Sequence, residues 1–251
     1  MKTKLGRTTF DSEEEIKIRK NAIELFKKTP IPDDELLDNL GLYINSKNMA
    51  RLLFLNHIYQ QIIDMQGIIM DFGTRWGQNM AVFTALRGIY EPFNRHRRIV
   101  GFDTFKGLPD PSMEDGASEL MKEGRYAVPE NYSGYLNKIM EMQELDNPIS
   151  HIKKYEIIEG NASVEIYQYL DGHPETIIAL AYFDMDIYEP TRSCLEAIKP
   201  HLVKGSVLAF DELNDIDCPG ETLALKEVFP LNEIRLKRYR YVSRVSHFIV
   251  D

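Results

Sequence analysis

The chain has 251 residues, of which 43% are hydrophobic and 27% are charged, and its formal net charge is −9. This composition is typical of a soluble globular protein, and the acidic balance disfavours a nucleic-acid partner, whose phosphates bind clustered cations. The two cysteines, Cys194 and Cys218, fit neither a disulfide framework nor a metal-ligand spacing, and we expect no signal peptide and no membrane span. We therefore predict a cytoplasmic protein without a membrane partner.

The first 64 residues are predicted to form a helical cover. Apolar side chains recur at helical spacing in residues 12–28, and Ser12 followed by Glu15 has the pattern of a capping box. The prolines in residues 29–32 end this helix, and a second helical pattern covers residues 47–64. The apolar face of the second helix is equally suited to cover the core or a partner subunit, so a homo-oligomer stays open.

Residues 65–251 alternate between short apolar runs and helical patterns, which is typical of a parallel sheet with crossover helices. The predicted strands are 67–72, 98–102, 156–159, 177–183 and 206–210, and the predicted helices between them are 78–90, 162–170, 191–198 and 222–229. Two final segments, 233–237 and 244–250, predict an antiparallel hairpin. The predicted fold is a Rossmann-like α/β fold with a mostly parallel, seven-stranded sheet.

Residues 106–152 interrupt this alternation. The stretch contains four prolines and four glycines, with one helical pattern at 132–145. Long connections of this kind are usually lids, binding loops or disordered segments. We predict a lid inserted over the site.

An acidic residue and two glycines follow the first predicted strand. In residues 71–77 (DFGTRWG), Asp71 precedes Gly73 and Gly77, so the backbone can approach a ligand closely while the carboxylate accepts hydrogen bonds. The spacing differs from the GxGxxG of dinucleotide sites, and a carboxylate would repel a pyrophosphate but attract the cationic methionine end of a nucleoside donor. A glycine turn needed only for packing explains the motif equally well.

Polar residues also follow the second and third predicted strands. Asp103 ends the second strand, where a carboxylate can accept both ribose hydroxyls of a nucleoside, although an Asp that begins a turn is the alternative. Asn161 and Ala162 follow the third strand at a position suited to an adenine ring, but Asn161 is equally suited to cap the next helix. Two acids at adjacent strand ends, Asp71 and Asp103, favour a nucleoside site.

Four carboxylates follow the fourth and fifth predicted strands: Asp184, Asp186, Asp211 and Glu212. Ends of neighbouring parallel strands meet at one edge of a sheet, where gathered carboxylates repel one another unless a cation or a shared proton relieves them. Because oxygen ligands favour a hard ion such as Mg²⁺, we predict that Asp184, Asp211 and Glu212 hold a divalent cation. Asp186 would then be the general base. In the alternative, one of the first two acids caps the next helix and the second pair faces solvent.

These motifs together resemble the macrocin O-methyltransferase-like family, over nearly the whole chain after about residue 47. The resemblance rests on residues 71–77, 103–109 (DTFKGLP) and 184–191 (DMDIYEPT), on the pair Asp211 and Glu212, and on Pro219 and Gly220. Two positions depart from the family pattern. The glycine turn, usually Trp-Arg-Gly-Gly, is Arg-Trp-Gly-Gln here, and the second metal acid, often Asp, is Glu212.

The resemblance implies a class I methyltransferase fold, S-adenosylmethionine as donor, a Mg²⁺ ion, and methyl transfer to a hydroxyl of a sugar or a glycosylated natural product. It assigns Asp184, Asp211 and Glu212 to the metal and Asp186 to the base. The residues expected to contact the donor are Asp71, Gly73, Thr74, Gly77, Asn79, Asp103, Thr104, Asn161, Ala162 and Asp184.

Two other functions stay open at this point. An NAD-dependent sugar oxidoreductase or epimerase would also use Asp103, but no GxGxxG motif is present. A non-catalytic nucleoside-binding protein is the third class, and the four carboxylates argue against it.

Overall fold

The structure, a computed structural model, describes residues 12–118 and 121–251 and divides into two compact units. The first unit ends at Arg51 and the second is Leu52–Asp251. The boundary lies earlier than the predicted one at residue 64, because the last part of the second predicted helix packs in the core of the second unit. The covering role of the first unit remains a prediction.

The first unit begins with helix α1, Glu13–Lys27. Its predicted capping box is confirmed, since the Glu15 N–H donates to Ser12 Oγ (3.3 Å) and the Ser12 N–H donates to Glu15 Oε2 (2.7 Å). A short helix α2 (Asp33–Leu36) and a 3-10 turn (Leu40–Tyr43) follow. Helix α3, Ser46–Gln60, starts in this unit and continues into the second.

The second unit contains one seven-stranded sheet with the order β3-β2-β1-β4-β5-β7-β6. Its strands are β1 (Ile68–Phe72), β2 (Ile99–Asp103), β3 (Tyr155–Glu159), β4 (Ile178–Phe183), β5 (Leu202–Phe210), β6 (Lys237–Arg238) and β7 (Ser246–Ile249). The first five are parallel, and β7 pairs antiparallel with both β5 and β6. The predicted fold class is confirmed.

In the described residues of this unit, five helices lie between these strands, and the second of them lies within the insertion: α4 (Gln78–Tyr90), α5 (Tyr132–Leu145), α6 (Ala162–Gly172), α7 (Tyr188–Ile198) and α8 (Gly220–Val228). Helix α7 starts earlier than predicted because Pro190 falls in its first turn, where a missing N–H breaks no helical hydrogen bond. Most of the predicted strand 233–237 is instead a turn, so β6 is short. None of the helices in the described ranges has the length and hydropathy of a membrane span.

A row of phenylalanines aligns the carboxyl ends of the central strands. Phe102, Phe72, Phe183 and Phe210 lie on four adjacent strands, and their neighbouring ring centroids are 5.0, 4.9 and 5.0 Å apart. Each is paired in register with the next, and all four are buried. Because each Phe immediately precedes a predicted site residue, this stacked row places those residues at one level of the sheet edge.

The second half of the insertion is part of the body of the domain. Leu136 and Met140 of α5 are buried in the same hydrophobic cluster as β1 and α4. Glu144, at the end of α5, forms buried ion pairs with Arg87 (2.7 Å) and Lys154 (2.6 Å). Such anchoring does not suit a moving cover, so we restrict the predicted lid to residues 106–131.

Candidate active site

The predicted site residues meet at the carboxyl edge of the sheet. Backbone hydrogen bonds continue the strand ladders past the phenylalanines: Gly73 N–H donates to Phe102 O (3.0 Å), and Asp184 N–H donates to Phe72 O (2.9 Å). Asp211 N–H donates to Phe183 O (3.0 Å) in the same way. The first residues after three neighbouring strands are therefore fixed side by side, at the edge where open α/β folds bind ligands.

The turn after β1 requires both of its glycines. Gly73 and Gly77 have φ values of +84° and +75°, which L side chains rarely adopt. A Cβ on Gly73 would also overlap the carbonyl of Asp184 on the neighbouring strand. Packing alone therefore accounts for Gly73, while the resulting bare backbone also leaves room for a ligand.

Hydrogen bonds join Asp71 at the end of β1 to Thr74 in the turn and to Asn79 at the start of α4. Asp71 is fully buried within β1, and its Oδ1 accepts a hydrogen bond from Asn79 Nδ2 (2.9 Å). The Thr74 hydroxyl donates to the Asp71 carbonyl (3.0 Å), and the Gly77 N–H donates to the Thr74 carbonyl (2.8 Å). These contacts give the turn a fixed shape, and direct contact of Asp71, Thr74 and Asn79 with a donor remains a prediction.

Asp103 is the best organised of the predicted donor residues. Its Oδ2 accepts the Arg75 N–H (2.7 Å), and its Oδ1 accepts the Phe105 N–H (2.6 Å). Burial raises the pKa of Asp103, while these two N–H groups and the Arg75 charge act in the opposite direction. Each carboxylate oxygen has a further lone pair, so the oriented group can still accept from two hydroxyls. The hydroxyl of the neighbouring Thr104 donates a hydrogen bond to the Gly107 carbonyl (2.7 Å).

Asn161 caps α6, the alternative role that its position allowed. Its side-chain oxygen accepts the Ser163 N–H (3.0 Å). Ala162 is packed in the hydrophobic core and its carbonyl accepts from the Cys194 thiol (3.5 Å). A contact of these two residues with an adenine ring remains a prediction.

Asp186 and Glu212 form the electrostatic centre of the site. Both side chains are buried. Burial, followed by the charge of Glu212, raises the pKa of Asp186 well above its ordinary value. Burial also raises the pKa of Glu212 to about 7, although Asp186 and the charge of Arg244 act in the opposite direction. Both pKa shifts are the response expected of carboxyl groups that are buried near other acids.

Asp211 and the Arg244 guanidinium lie near this pair. Asp211 Oδ1 accepts the Tyr182 hydroxyl (2.8 Å), and Glu212 Oε1 lies 2.5 Å from the Arg244 guanidinium. Across residues 12–118 and 121–251, no three acidic, His or Cys side chains converge closely enough to hold an ion. Asp184, Asp211 and Glu212 offer the hard oxygen ligands that Mg²⁺ prefers. The burial of Glu212 argues against the alternative in which it faces solvent.

The carboxylate that accepts the first N–H of α7 belongs to Asp115, in the insertion. The first N–H of α7, on Tyr188, donates to Asp115 Oδ1 (2.5 Å). Glu221 in α8 accepts the backbone N–H groups of Met185 (3.0 Å) and Asp186 (3.4 Å). Sequence analysis missed Asp115, Glu221 and Arg244, and the Gly220 that directly precedes Glu221 was the one available signal.

Tyr126 of the insertion also reaches this edge. Its backbone carbonyl accepts from Arg75 Nε (3.2 Å), and the Arg75 guanidinium carbon lies 4.9 Å from its ring centroid. Burial and the charge of Asp186 raise the pKa of Tyr126 to about 12. Arg75 thus links the donor acid Asp103 to the insertion.

The strand order, the glycine turn and the oriented carboxylate after β2 define a class I methyltransferase. No protein-family model and no curated protein matches the chain. Among solved structures, the calicheamicin methyltransferase CalS11 is 40% identical, with 98% of this chain and 96% of that chain covered and a TM-score of 0.94. An apo structure of CalS11, described as a TDP-rhamnose 3'-O-methyltransferase of calicheamicin biosynthesis, is 37% identical over 98% and 99% of the two chains, with a TM-score of 0.85.

The chain belongs to the family of CalS11, the macrocin O-methyltransferase-like enzymes, and is an S-adenosylmethionine-dependent O-methyltransferase. The O-methyltransferase NovP, 17% identical over 80% of each chain with a TM-score of 0.61, shares the fold. The oxidoreductase and non-catalytic alternatives are therefore set aside.

Proposed function

We propose that this methyltransferase acts on a hydroxyl of a nucleotide-linked deoxysugar, with Asp186 as general base and a divalent cation as cofactor. The identity to CalS11 along almost the whole chain carries the proposal, because CalS11 is described as acting on TDP-rhamnose. The buried carboxylate pair at the sheet edge supports acid–base chemistry at this place.

The donor is proposed to lie across the sheet edge from β1 to β3. Its methionine end would lie near Asp71 and Gly73, its ribose on Asp103 and its adenine near Asn161. The two backbone N–H groups on Asp103 support the ribose position, because they orient the carboxylate before the donor arrives. The bare backbone at Gly73 supports a close approach of the methionine end.

Asp186 is proposed to accept the proton of the acceptor hydroxyl. The acceptor oxygen forms a bond to the methyl carbon as the carbon–sulfur bond of the sulfonium breaks, and S-adenosylhomocysteine leaves. The raised pKa of Asp186 fits a base that takes a proton from a weakly acidic hydroxyl, and positive charge at the site would favour its ionised form. Tyr126 and the rest of residues 106–131 would exclude water when the acceptor is bound.

Asp184, Asp211 and Glu212 are proposed to bind the cation, with Mg²⁺ as the expected ion. The charges of Glu212 and Asp211, which raise the pKa of Asp186, support the proposal, since a cation would relieve this repulsion. When bound, such an ion lowers the pKa of a coordinated hydroxyl and orients it. Cytoplasmic localisation and a homo-oligomer also remain proposals, the second because Ile18, Ile23 and Leu25 of α1 are exposed.

Isothermal titration tests the donor and the cation separately. We expect S-adenosylhomocysteine to bind and NAD not to bind. We also expect Mg²⁺ to bind to the wild type and at least tenfold more weakly to Asp211→Asn, because that change removes one anionic ligand. Equal Mg²⁺ affinity in the two proteins, or no Mg²⁺ binding, would refute the cation proposal without affecting the donor.

Methyl transfer to TDP-rhamnose tests the acceptor and the base. We expect methylated TDP-rhamnose from the wild type, and no turnover by Asp186→Asn with unchanged affinity for S-adenosylhomocysteine. Normal turnover by Asp186→Asn would exclude its role as base. If the wild type methylates free glycosides but not TDP-rhamnose, the nucleotide part of the acceptor proposal is wrong.

A further inference from the structure

Two buried carboxylates from distant parts of the chain hold the backbone around Asp186. Glu221 is fully buried, and its Oε1 accepts the N–H groups of both Met185 and Asp186. Asp115 is 1% exposed and accepts the N–H of Tyr188, two residues further on. Met185 and Asp186 lie in the short connection between β4 and α7, and Tyr188 is the first residue of α7.

This connection needs such support because of its backbone conformation. Asp186 has a φ of +64°, in the left-handed region that costs an ordinary residue roughly 1 kcal/mol or more. The Ile187 N–H donates to the Met185 carbonyl (2.8 Å), which closes a tight turn around Asp186. The hydrogen bonds to Glu221 and Asp115 stabilise this turn from both sides.

The geometry around Asp115 is itself constrained. Its Oδ2 accepts from the N–H (2.7 Å) and the hydroxyl (3.0 Å) of Ser112, so the carboxylate is held in one orientation. A Cβ on Gly220 would collide with Asp115 Oδ1 and lie 2.6 Å from the Tyr188 nitrogen. Glycine at position 220 therefore lets the start of α8 approach the Asp115–Tyr188 hydrogen bond, and places Glu221 next to the same connection.

We infer that Glu221 and Asp115 are positioning residues for methyl transfer, which fix the backbone at residues 185–188 and thereby aim the Asp186 carboxyl at the acceptor. The inference rests on the proposed role of Asp186 as base. Neither residue touches the reacting atoms. Asp115 belongs to the insertion, so this contact also ties the proposed acceptor cover to the base.

Turnover of TDP-rhamnose by four variants tests the inference. Glu221→Ala and Asp115→Ala are expected to lower kcat by about 30-fold to 100-fold, since a small misplacement of a catalytic group has effects of this order. Glu221→Gln keeps the one oxygen that accepts both N–H groups and is expected to retain kcat to within about fivefold, whereas Asp115→Asn must turn its NH₂ toward a backbone N–H and is expected to lose as much kcat as Asp115→Ala. The dissociation constant for S-adenosylhomocysteine and the KM for TDP-rhamnose should change by less than about threefold, because the donor and acceptor contacts remain.

A matched control separates positioning from general stability. Ser206→Ala removes a buried side chain that bonds the Ile178 carbonyl (2.7 Å) and the Val203 N–H (2.9 Å), away from the base. It should lower the melting temperature and leave kcat unchanged. The inference is overturned if Glu221→Gln loses as much activity as Glu221→Ala, if the alanine variants keep wild-type kcat, or if kcat falls with stability in Ser206→Ala.

Amide hydrogen exchange gives a measurement that does not depend on the base. The N–H groups of Met185, Asp186 and Tyr188 should exchange slowly in the wild type and at least tenfold faster in the corresponding alanine variants, because each loses its acceptor. Unchanged exchange in both alanine variants overturns the inference. Normal turnover by Asp186→Asn would refute the proposed base, but it would leave the slow amide exchange unchanged. Failure of the proposed base and failure of the positioning role can therefore be told apart.

Discussion

The backbone N–H of Arg75 and the carboxylate of Asp103 are joined by a 2.7 Å hydrogen bond that connects the turn after β1 to the end of β2. Arg75 has a φ of +48°, so the turn directs this N–H across to the neighbouring strand in a conformation that is uncommon for Arg. The hydrogen bond therefore joins two chain segments of the predicted donor site.

We predict that Asp103→Asn binds S-adenosylhomocysteine about 10-fold to 100-fold more weakly, because the amide can accept only through one atom and must turn its NH₂ toward a backbone N–H. Titration followed by the fluorescence of Trp76, the single tryptophan of the chain, measures the change. Asp171→Asn, an exposed change at the end of α6, is the control and should bind normally. An unchanged affinity in Asp103→Asn would contradict the ribose assignment.

Substitution of Gly73 should disrupt the site itself. Gly73→Ala is expected to destabilise the protein by several kcal/mol and to abolish donor binding, since the new Cβ would overlap the Asp184 carbonyl and φ is positive. Gly134→Ala, in α5 with no heavy atom near its position, should instead be neutral or stabilise by about 0.5–1 kcal/mol. Urea unfolding and donor titration of both variants test this contrast, and equal effects would show that the turn tolerates a side chain.

The buried pair of Arg97 and Glu91 should contribute strongly to folding. Arg97 donates to both Glu91 oxygens (2.9 and 3.0 Å) and to the Ile62 and Met65 carbonyls (2.7 Å each). Removal of the guanidinium in Arg97→Met leaves the buried Glu91 carboxylate without its opposite charge and two buried carbonyls without this donor, so we expect a loss of about 3–5 kcal/mol.

Arg192→Met is the matched control for that prediction. Its ion pairs with Glu189 (3.1 Å) and Glu196 (2.8 Å) lie on the exposed side of α7, and its loss should cost less than about 1 kcal/mol. Equilibrium urea unfolding at neutral pH measures both variants. A loss below about 1 kcal/mol in Arg97→Met would mean that its replacement side chain packs well enough to compensate.

His247 should make the folded state sensitive to acid. Burial, with the charges of His57 and Lys237, lowers its pKa from 6.5 to about 4. Between these values the unfolded state binds more protons than the folded state, so the free energy of unfolding rises with pH through this window and this contribution levels off above 6.5. Stability should accordingly fall as pH is lowered from 6.5 toward 4.

His247→Gln should remove this part of the pH dependence. The difference in unfolding free energy between wild type and variant, measured at several values from pH 4.5 to 7, isolates the histidine from carboxyl groups that titrate in the same range. His151→Gln, at an exposed position, should leave the profile unchanged. A difference that does not vary with pH would show that His247 is protonated equally in the folded and unfolded states.

Much of the fold follows from local patterns in the sequence. The helices 78–90 and 132–145 were predicted with the bounds that the structure has, because apolar spacing and turn residues are properties of adjacent positions. The same holds for the capping box at Ser12 and for the acids at strand ends, since the order of elements fixes which residues follow each strand.

The errors have a common origin in packing. The predicted lid extended over α5 because proline and glycine content cannot show that Leu136 and Met140 are buried, and β6 is shorter than its apolar pattern indicated. In the alternative interpretation Asp184 or Asp186 capped α7, but the first N–H of this helix donates to Asp115, 73 residues away from its partner Tyr188.

The sequence by itself therefore determined the alternation of strands and helices, the family resemblance and the acids that follow the strands, because periodicity and motif spacing depend on the order of residues along the chain. Only the tertiary structure decided that Asp186 and Glu212 are both buried, that Arg244 pairs with Glu212, and that Glu221 accepts the N–H of Asp186. These properties depend on distances between side chains from separate elements and on the water that their burial removes. Neither quantity can be deduced from the position of a residue in the chain.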